Sequence, residues 1–234
     1  MTSEHIVKSY DEELTKLADL AVQMGHFAEE QLLEAIAAVV EGDDGACRKV
    51  IDQDALVNGL EQAVSAQAAK IVALRQPVAS DLRDVLSALR ISGDLERISD
   101  YAANIAKRAM ALGKMEPVEQ VAAVPRLGNL AQELLRDVVD AYEQRDAGRA
   151  LSVWMRDKEL DEAHTAFFRG LLAGMAGGSL GISAGTHLLF ISKDIERIGD
   201  HATNIAEAVY FMVLGESLGQ DRPKNDLSSA MTGK

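Results

Sequence analysis

A string of thirteen residues occurs twice in this chain, as DLERISDYAANIA at 94–106 and DIERIGDHATNIA at 194–206, with nine of the thirteen positions identical. A repeat displaced by 100 residues in a chain of 234 implies that one supersecondary unit has been built twice. Ile91, Leu95, Ile98, Ala102, Ile105, Ala109 and Leu112 recur in steps of four and three, the pattern of a helix face sealed against neighbours. Ile191, Ile195, Ile198, Ala202, Ile205, Val209 and Met212 reproduce it. Heptad seams resemble one another wherever they occur, so the seam alone does not establish duplication. The polar identities do: Glu96, Arg97, Asp100 and Asn104 match Glu196, Arg197, Asp200 and Asn204, off the seam, where packing dictates little about residue type.

The same scheme extends upstream of each copy. Leu14, Leu17, Ala21, Met24, Ala28, Gln31, Ala35 and Ala38 mark one face of a first helix, with Gln31 its one polar break. That helix stops at EGDDGA, where Gly42 and Gly45 end it and Asp43 or Asp44 caps a second helix running to about Leu74. Gln76-Pro77 breaks the chain again, and Ser80 or Asp81 is predicted to cap a third helix through about Leu112. After KMEP and VAAVP the scheme restarts, with helices predicted from Leu127 to about Arg145, Gly148 to Ala176 and Ala184 to Leu214. The glycine-rich AGMAGGSLGISAG separates the last two, and DDGA at 43–46 is answered by DAGRA at 146–150. The expected fold is all-α: two tandem, pseudo-symmetric three-helix bundles, six helices in all. The first occupies 1–116 and the second 117–218, and a polar tail at 219–234 is expected to be disordered.

Composition agrees and narrows the setting. Hydrophobic residues make up 47% of the chain and aromatics only 4%, a balance that suits packed helices over sheets. The net charge of -13 would repel phosphate backbones, which argues against nucleic acid as a partner. With Cys47 as the sole cysteine, neither an intramolecular disulfide nor a cysteine-based zinc site can form, so a reducing compartment is the simplest setting. The N-terminus lacks the basic start and apolar stretch of a secretory signal, which makes the cytoplasm the expected location. No apolar stretch approaches the ~20 residues of a membrane span, so membrane contact is expected only through partners.

With the seam at heptad positions a and d, Glu96, Asp100 and Asn104 fall at b, f and c, and are expected to face away from the core. Glu96 and Asp100 lie four apart and repel by ~0.2 to 0.5 kcal/mol, which calls for something that offsets it. Hairpin geometry adds partners, because residues equidistant from a turn share one level. The pairs 54 with 100 and 58 with 96 are both centred on 77, at Pro77; 157 with 200 and 161 with 196 are both centred on 178.5, inside Gly177-Gly178-Ser179. Asp54, Asn58, Glu96 and Asp100 are therefore predicted to converge in one half, and Asp157, Asp161, Glu196 and Asp200 in the other. Oxygen ligands of this kind select hard divalent cations, Mg, Mn or Fe, so each cluster is a candidate surface metal site. The competing expectation is a solvated acidic face neutralised by Arg97 and Arg197. His164 and His201 adjoin the clusters but fit ordinary surface histidines, and Trp154, Phe167 and Phe168 fit packing roles. The string DEAH at 161–164 has no phosphate-binding loop beside it and carries no helicase meaning, and the glycines from Gly170 to Gly185 fit a hairpin loop.

The string QPVASDLR at 76–83, LERISD at 95–100 and IERIGDHATNIAE at 195–207 together closely resemble the PhoU family. The resemblance runs from VQMG at 22–25 to VLGE at 213–216 and implies two symmetry-related three-helix bundles. It also implies an adaptor without catalytic activity. Such an adaptor links the ATPase of a phosphate ABC transporter to a sensor histidine kinase and damps that kinase when phosphate is plentiful; the expected assembly is a homodimer. The family's paired acidic motifs, associated with surface metal ions, match Glu96 with Asp100, Glu196 with Asp200 and Asp157 with Asp161; Asp54 with Asn58 is the weaker match because Asn58 is neutral. Ser99 stands where the family usually has glycine, while the second copy keeps Gly199. Two other classes compete with the adaptor: a metal-free helical scaffold, and a di-metal carboxylate enzyme. The second needs Glu-x-x-His pairs inside a four-helix core, which the sequence does not offer.

Overall fold

Aspartates open the second helix of each half. In the computed structural model, which describes residues 2–219, Asp43 accepts hydrogen bonds from the Gly45 and Ala46 amides at 2.7 and 3.2 Å. Asp146 does the same for the Gly148 and Arg149 amides, both at 2.9 Å. Each cap satisfies amides that the first helical turn leaves without a partner, an effect of about 1 kcal/mol. The residue before each aspartate turns left-handed: Gly42 at φ 66° does so without strain, whereas Arg145 at φ 53° carries a side chain into a region costing roughly 1–2 kcal/mol. Asp84 holds the Arg145 guanidinium there through two hydrogen bonds of 2.8 and 3.1 Å.

The helices are α1 (Thr2–Glu41), α2 (Asp44–Arg75), α3 (Ala79–Leu112), α4 (Val124–Glu143), α5 (Ala147–Ala176) and α6 (Ile182–Leu214), with a short 3-10 turn, Glu119–Ala123, before α4. Two starts differ from expectation. No side chain caps α3, which follows Val78; the Asp81 carboxylate accepts instead from the Tyr10 hydroxyl at 2.9 Å, tying α3 to α1. Helix α4 begins at Val124 and not Leu127, because Pro125 in its first turn has no amide that needs a partner. Residues 220–234 of the predicted tail lie outside the described residues.

Helices α1, α2 and α3 pack as one bundle and α4, α5 and α6 as the other, and every predicted seam residue of α3 and α6 is buried. The bundles meet through two antiparallel pairs. Along α3 and α6, the Ser87 hydroxyl donates to the Ala208 carbonyl at 3.3 Å, Arg90 reaches Glu207 at 3.1 Å, and the Tyr101 and His201 rings lie 5.6 Å apart. Tyr101 and His201 are equivalent positions of the repeat, so the pseudo-two-fold axis passes between them. Along α1 and α4 the approach is reciprocal and close. A Cβ on Gly25 would fall 2.7 Å from Val139 Cγ2, and one on Gly128 would fall 2.7 Å from Ile36 Cγ1. Helices α2 and α5 flank this central layer, and one hydrophobic core, including Leu32, Ile98, Leu135 and Ile198, runs through both halves. Arg149 and Arg156 fasten α5 to α4 by converging on Asp137 at 2.9 and 2.6 Å. Burial works to raise the Asp137 carboxyl, but the two guanidinium groups hold it below its usual range. Among the described residues, no helix is long and apolar enough to cross a membrane.

The glycine contacts give a direct test. Gly25→Val and Gly128→Val should each lower stability by about 1–3 kcal/mol through overpacking. Gly93, exposed mid-helix with nothing within 4 Å of its virtual Cβ, should gain about 0.5–1 kcal/mol as alanine. Urea unfolding midpoints check both, and a neutral result at Gly25 and Gly128 would contradict the close approach.

Candidate functional site

The turn between α2 and α3 spans residues 76–78 and that between α5 and α6 spans 177–181, so each hairpin folds about the point from which the acidic residues are equidistant. In the first half this brings Asp54 of α2 against Ser99 of α3, with Oγ and Oδ1 3.0 Å apart. The same hydroxyl lies 2.6 Å from Gln31 Oε1 on α1, so one proton serves two acceptors. The other Asp54 oxygen accepts from Asn58 Nδ2 at 3.2 Å. Arg97 spans the remaining two acids, 3.6 Å from Glu96 and 3.3 Å from Asp100. Partial burial, followed by the charge of Asp100, pushes the Glu96 carboxyl up, and Arg97 opposes both; Asp54 and Glu61 add smaller upward pushes. The charges of Asp100, Asp54 and Glu61 thus meet at Glu96, beside a solvent-open pocket that Asn58, Glu61, Glu96 and Arg97 help line.

The second half carries the matching residues in a different environment. Asp157 and Asp161 on α5 are 1% and 2% exposed, and the Glu196 side chain is 5% exposed where that of Glu96 is 26%. Asp157 Oδ1 sits 2.7 Å from where a Cβ on Gly199 would be, so the missing side chain at 199 is the space the carboxylate occupies. The Lys193 ammonium stands 2.8 Å from Glu196. Arg197, the counterpart of Arg97, turns across the pseudo-two-fold axis and donates to the Tyr101 hydroxyl at 3.1 Å. His164 is fully buried one turn beyond Asp161, its ring 5.9 Å from that of Phe168.

Three expectations need correction. The acids do not all face outward: Asp157, Asp161 and Glu196 are buried, with Asp157 packed against Gly199 of α6. His164 is not a surface histidine, since it too is buried. The two arginines also do not act alike: Arg97 rests on Glu96 and Asp100, whereas Arg197 hydrogen-bonds Tyr101 on the neighbouring bundle while its charge still acts on Glu196. His201 is also committed across the bundles, with Nδ1 2.7 Å from Asp94 Oδ1, an oxygen to which Asn204 donates at 3.2 Å.

The donors are hard oxygens, with an imidazole one turn away in the second half, and match the preferences of Mg, Mn or Fe. Burying three carboxylates in one hairpin is costly unless positive charge or protons compensate, and a divalent cation supplies such charge. Among the described residues, no three His, Cys, Asp or Glu side chains already stand in an arrangement that could hold an ion. Holding one would therefore require carboxylates to turn toward a common point. Sequence reasoning did not assign Ser99, Gln31, Glu61 or Lys193 to the clusters; the polar break at Gln31 and the serine in place of glycine at 99 were the available signals.

A PhoU domain model matches residues 21–109 and 124–209. A phosphate-specific transport system accessory protein PhoU homolog from Caulobacter vibrioides is 46% identical over 97% of this chain and 99% of its own length. One of the same name from Xylella fastidiosa is 44% identical over 97% of this chain and 94% of its own length. Among solved structures, PhoU from Pseudomonas aeruginosa superposes with a TM-score of 0.86 at 33% identity, over 88% of this chain and all of that one. The phosphate transport system regulatory protein PhoU from Streptococcus pneumoniae gives a TM-score of 0.83 at 28% identity, over 90% of this chain and 99% of that one.

The Ser99 hydroxyl is the first element of the site to test. Ser99→Ala should leave the Gln31 and Asp54 oxygens without their shared donor and cost about 1–3 kcal/mol. Ser80→Ala, at an exposed hydroxyl, should stay within about 0.5 kcal/mol of the parent. Thermal unfolding compares the two, and equal midpoints would show that the Ser99 bond contributes nothing.

Proposed function

The chain belongs to the PhoU family, and on that footing we propose that it is a regulatory adaptor of phosphate homeostasis. It acts as an accessory protein of a phosphate-specific transport system. In the cytoplasm, as a homodimer, it binds the ATPase subunit of the phosphate ABC transporter and a sensor histidine kinase, and it represses starvation signalling when phosphate is plentiful. It reaches the membrane only through these partners and does not bind nucleic acid. It performs no chemistry of its own; its two hairpins hold divalent cations, Mg, Mn or Fe, that set the charge of the surface offered to partners.

The observation that carries the metal-binding part is the burial of Asp157, Asp161 and Glu196 along one hairpin. Carboxylates withdrawn from water repel one another strongly in the lower dielectric, and a cation among them relieves both that repulsion and the lost hydration. Arg97, already resting on Glu96 and Asp100, supports a second reading for the first hairpin, that of a metal-free scaffold whose acids are neutralised internally.

Two experiments test the proposal. Deleting the gene should switch on phosphate-starvation genes in phosphate-rich medium, and unchanged transcript levels would contradict the regulatory role. Protein purified without chelator should contain Mn, Fe or Mg by elemental analysis and lose partner capture on chelator treatment. Capture that is indifferent to chelator would favour the metal-free scaffold.

A further inference from the structure

Two cavities lie between the bundles, at places that the pseudo-two-fold axis exchanges. One, of about 400 Å3, is mostly apolar, with Val39, Val40, Gly42, Leu112 and Val118 in its lining. The other, of about 310 Å3, lies where α1, α3 and α6 meet the α4–α5 turn, and Asp19, Asp84, Tyr142, Glu143 and Arg145 help line it. Gly25 aligns with Gly128 and Asp43 with Asp146, so Tyr142, Glu143 and Arg145 stand where the apolar cavity has Val39, Val40 and Gly42. By the same repeat, Asp19 and Asp84 answer to Ala122 and Ala184. The fold closes this junction with small or apolar residues in one copy, so the five polar groups of the other are not required to build it. Arg145 even keeps its side chain at φ 53°, where Gly42 makes the same left-handed turn without strain.

Tyr142 gives the polar cavity its direction. It is 6% exposed, yet among the described residues its hydroxyl has no hydrogen-bond partner. The charges that act on it are those of Asp84, Arg145 and Asp19, which all line the cavity, so the hydroxyl is turned toward that space. Burial, then Asp84, pushes its ionisation up, and it stays a neutral phenol that can both accept and donate. A buried polar group without a partner is costly, and a ligand that hydrogen-bonds it recovers the cost.

The charge balance selects the ligand. Asp84 is committed to Arg145 through two hydrogen bonds, which leaves the exposed Asp19 and Glu143 as uncancelled carboxylates at the cavity. Their charge disfavours an anion. A bare metal ion does not fit either, since among the described residues no three Asp, Glu, His or Cys side chains are arranged to hold one. The remaining walls, Leu14, Val22 and Met212, are hydrocarbon and suit the stem of an amphipathic cation.

We propose that this cavity binds an aliphatic ammonium or guanidinium group, its nitrogen taken by Asp19 and the Tyr142 hydroxyl and its stem lying along Leu14, Val22 and Met212. The site is separate from the acidic hairpins and depends on no metal. A free aliphatic amine and the arginine or lysine side chain of a polypeptide offer the same chemistry.

Calorimetric titration of the full-length protein, in buffer containing chelator, with agmatine and with an arginine capped at both ends tests this. At least one of the two should bind, once per chain. Tighter binding of agmatine marks a free amine as the ligand, and equal or tighter binding of the capped arginine marks a polypeptide side chain. Tyr142→Phe and Asp19→Asn should each weaken that binding by about tenfold, while Glu116→Gln, at the apolar cavity, should leave it within twofold. Circular dichroism checks that each variant folds, and the exposed Asp19 keeps the test open if Tyr142→Phe does not. No saturable binding of either cation at millimolar concentration, binding of sulfate in their place, or cation binding that both substitutions leave unchanged would overturn the proposal.

Discussion

The architecture depends on how closely two helices can approach at the centre. Gly25 and Gly128 let α1 and α4 pack so that each glycine receives a branched side chain from the other helix, Val139 in one case and Ile36 in the other. Beside that pair α3 and α6 run in contact, with Tyr101 and His201 at the pseudo-two-fold axis. The two bundles consequently share one core. Polar contacts cross the same axis, His201 to Asp94 and Arg197 to Tyr101, so each half supplies groups that complete the other's surface.

The shared core also explains how the two acidic clusters came to sit in unlike surroundings. Arg197 hydrogen-bonds Tyr101 across the axis, and no tyrosine occupies the reciprocal position, because the equivalent residue is His201. Lys193, which pairs with Glu196 where the first half has Gly93, is a second difference between the hairpins. Gly199 and Leu160 on one side, and Ser99 and Val57 on the other, show the same divergence in packing. Such coupled exchanges preserve volume while changing which groups can donate to a carboxylate.

Much of the fold was legible because the seams of α3 and α6 obey one period without a break, and because Asp43 and Asp146 sit directly before helical runs. The position of each turn followed from Pro77 and from the paired glycines at 177 and 178. Legibility failed where tertiary contacts decided the outcome. Asp81 is a good capping residue whose carboxylate was taken by Tyr10, distant in sequence. Heptad positions describe one helix against one seam, so they could not foresee that α5 is covered on the flank bearing Asp157, Asp161 and His164. How each arginine is engaged was likewise invisible, since Arg97 and Arg197 share the string Glu-Arg-Ile and the Tyr101 contact of Arg197 comes from a distant helix.

The central proposal is that the acidic side chains of the α5–α6 hairpin turn toward and hold a divalent ion. Anomalous scattering from crystals grown with manganese, collected on both sides of the metal's absorption edge, tests it most directly. The account predicts a manganese peak between α5 and α6 within bonding distance of Glu196 and Asp161. A map without density at the α5–α6 hairpin, in crystals whose solvent is saturated with the ion, would contradict it.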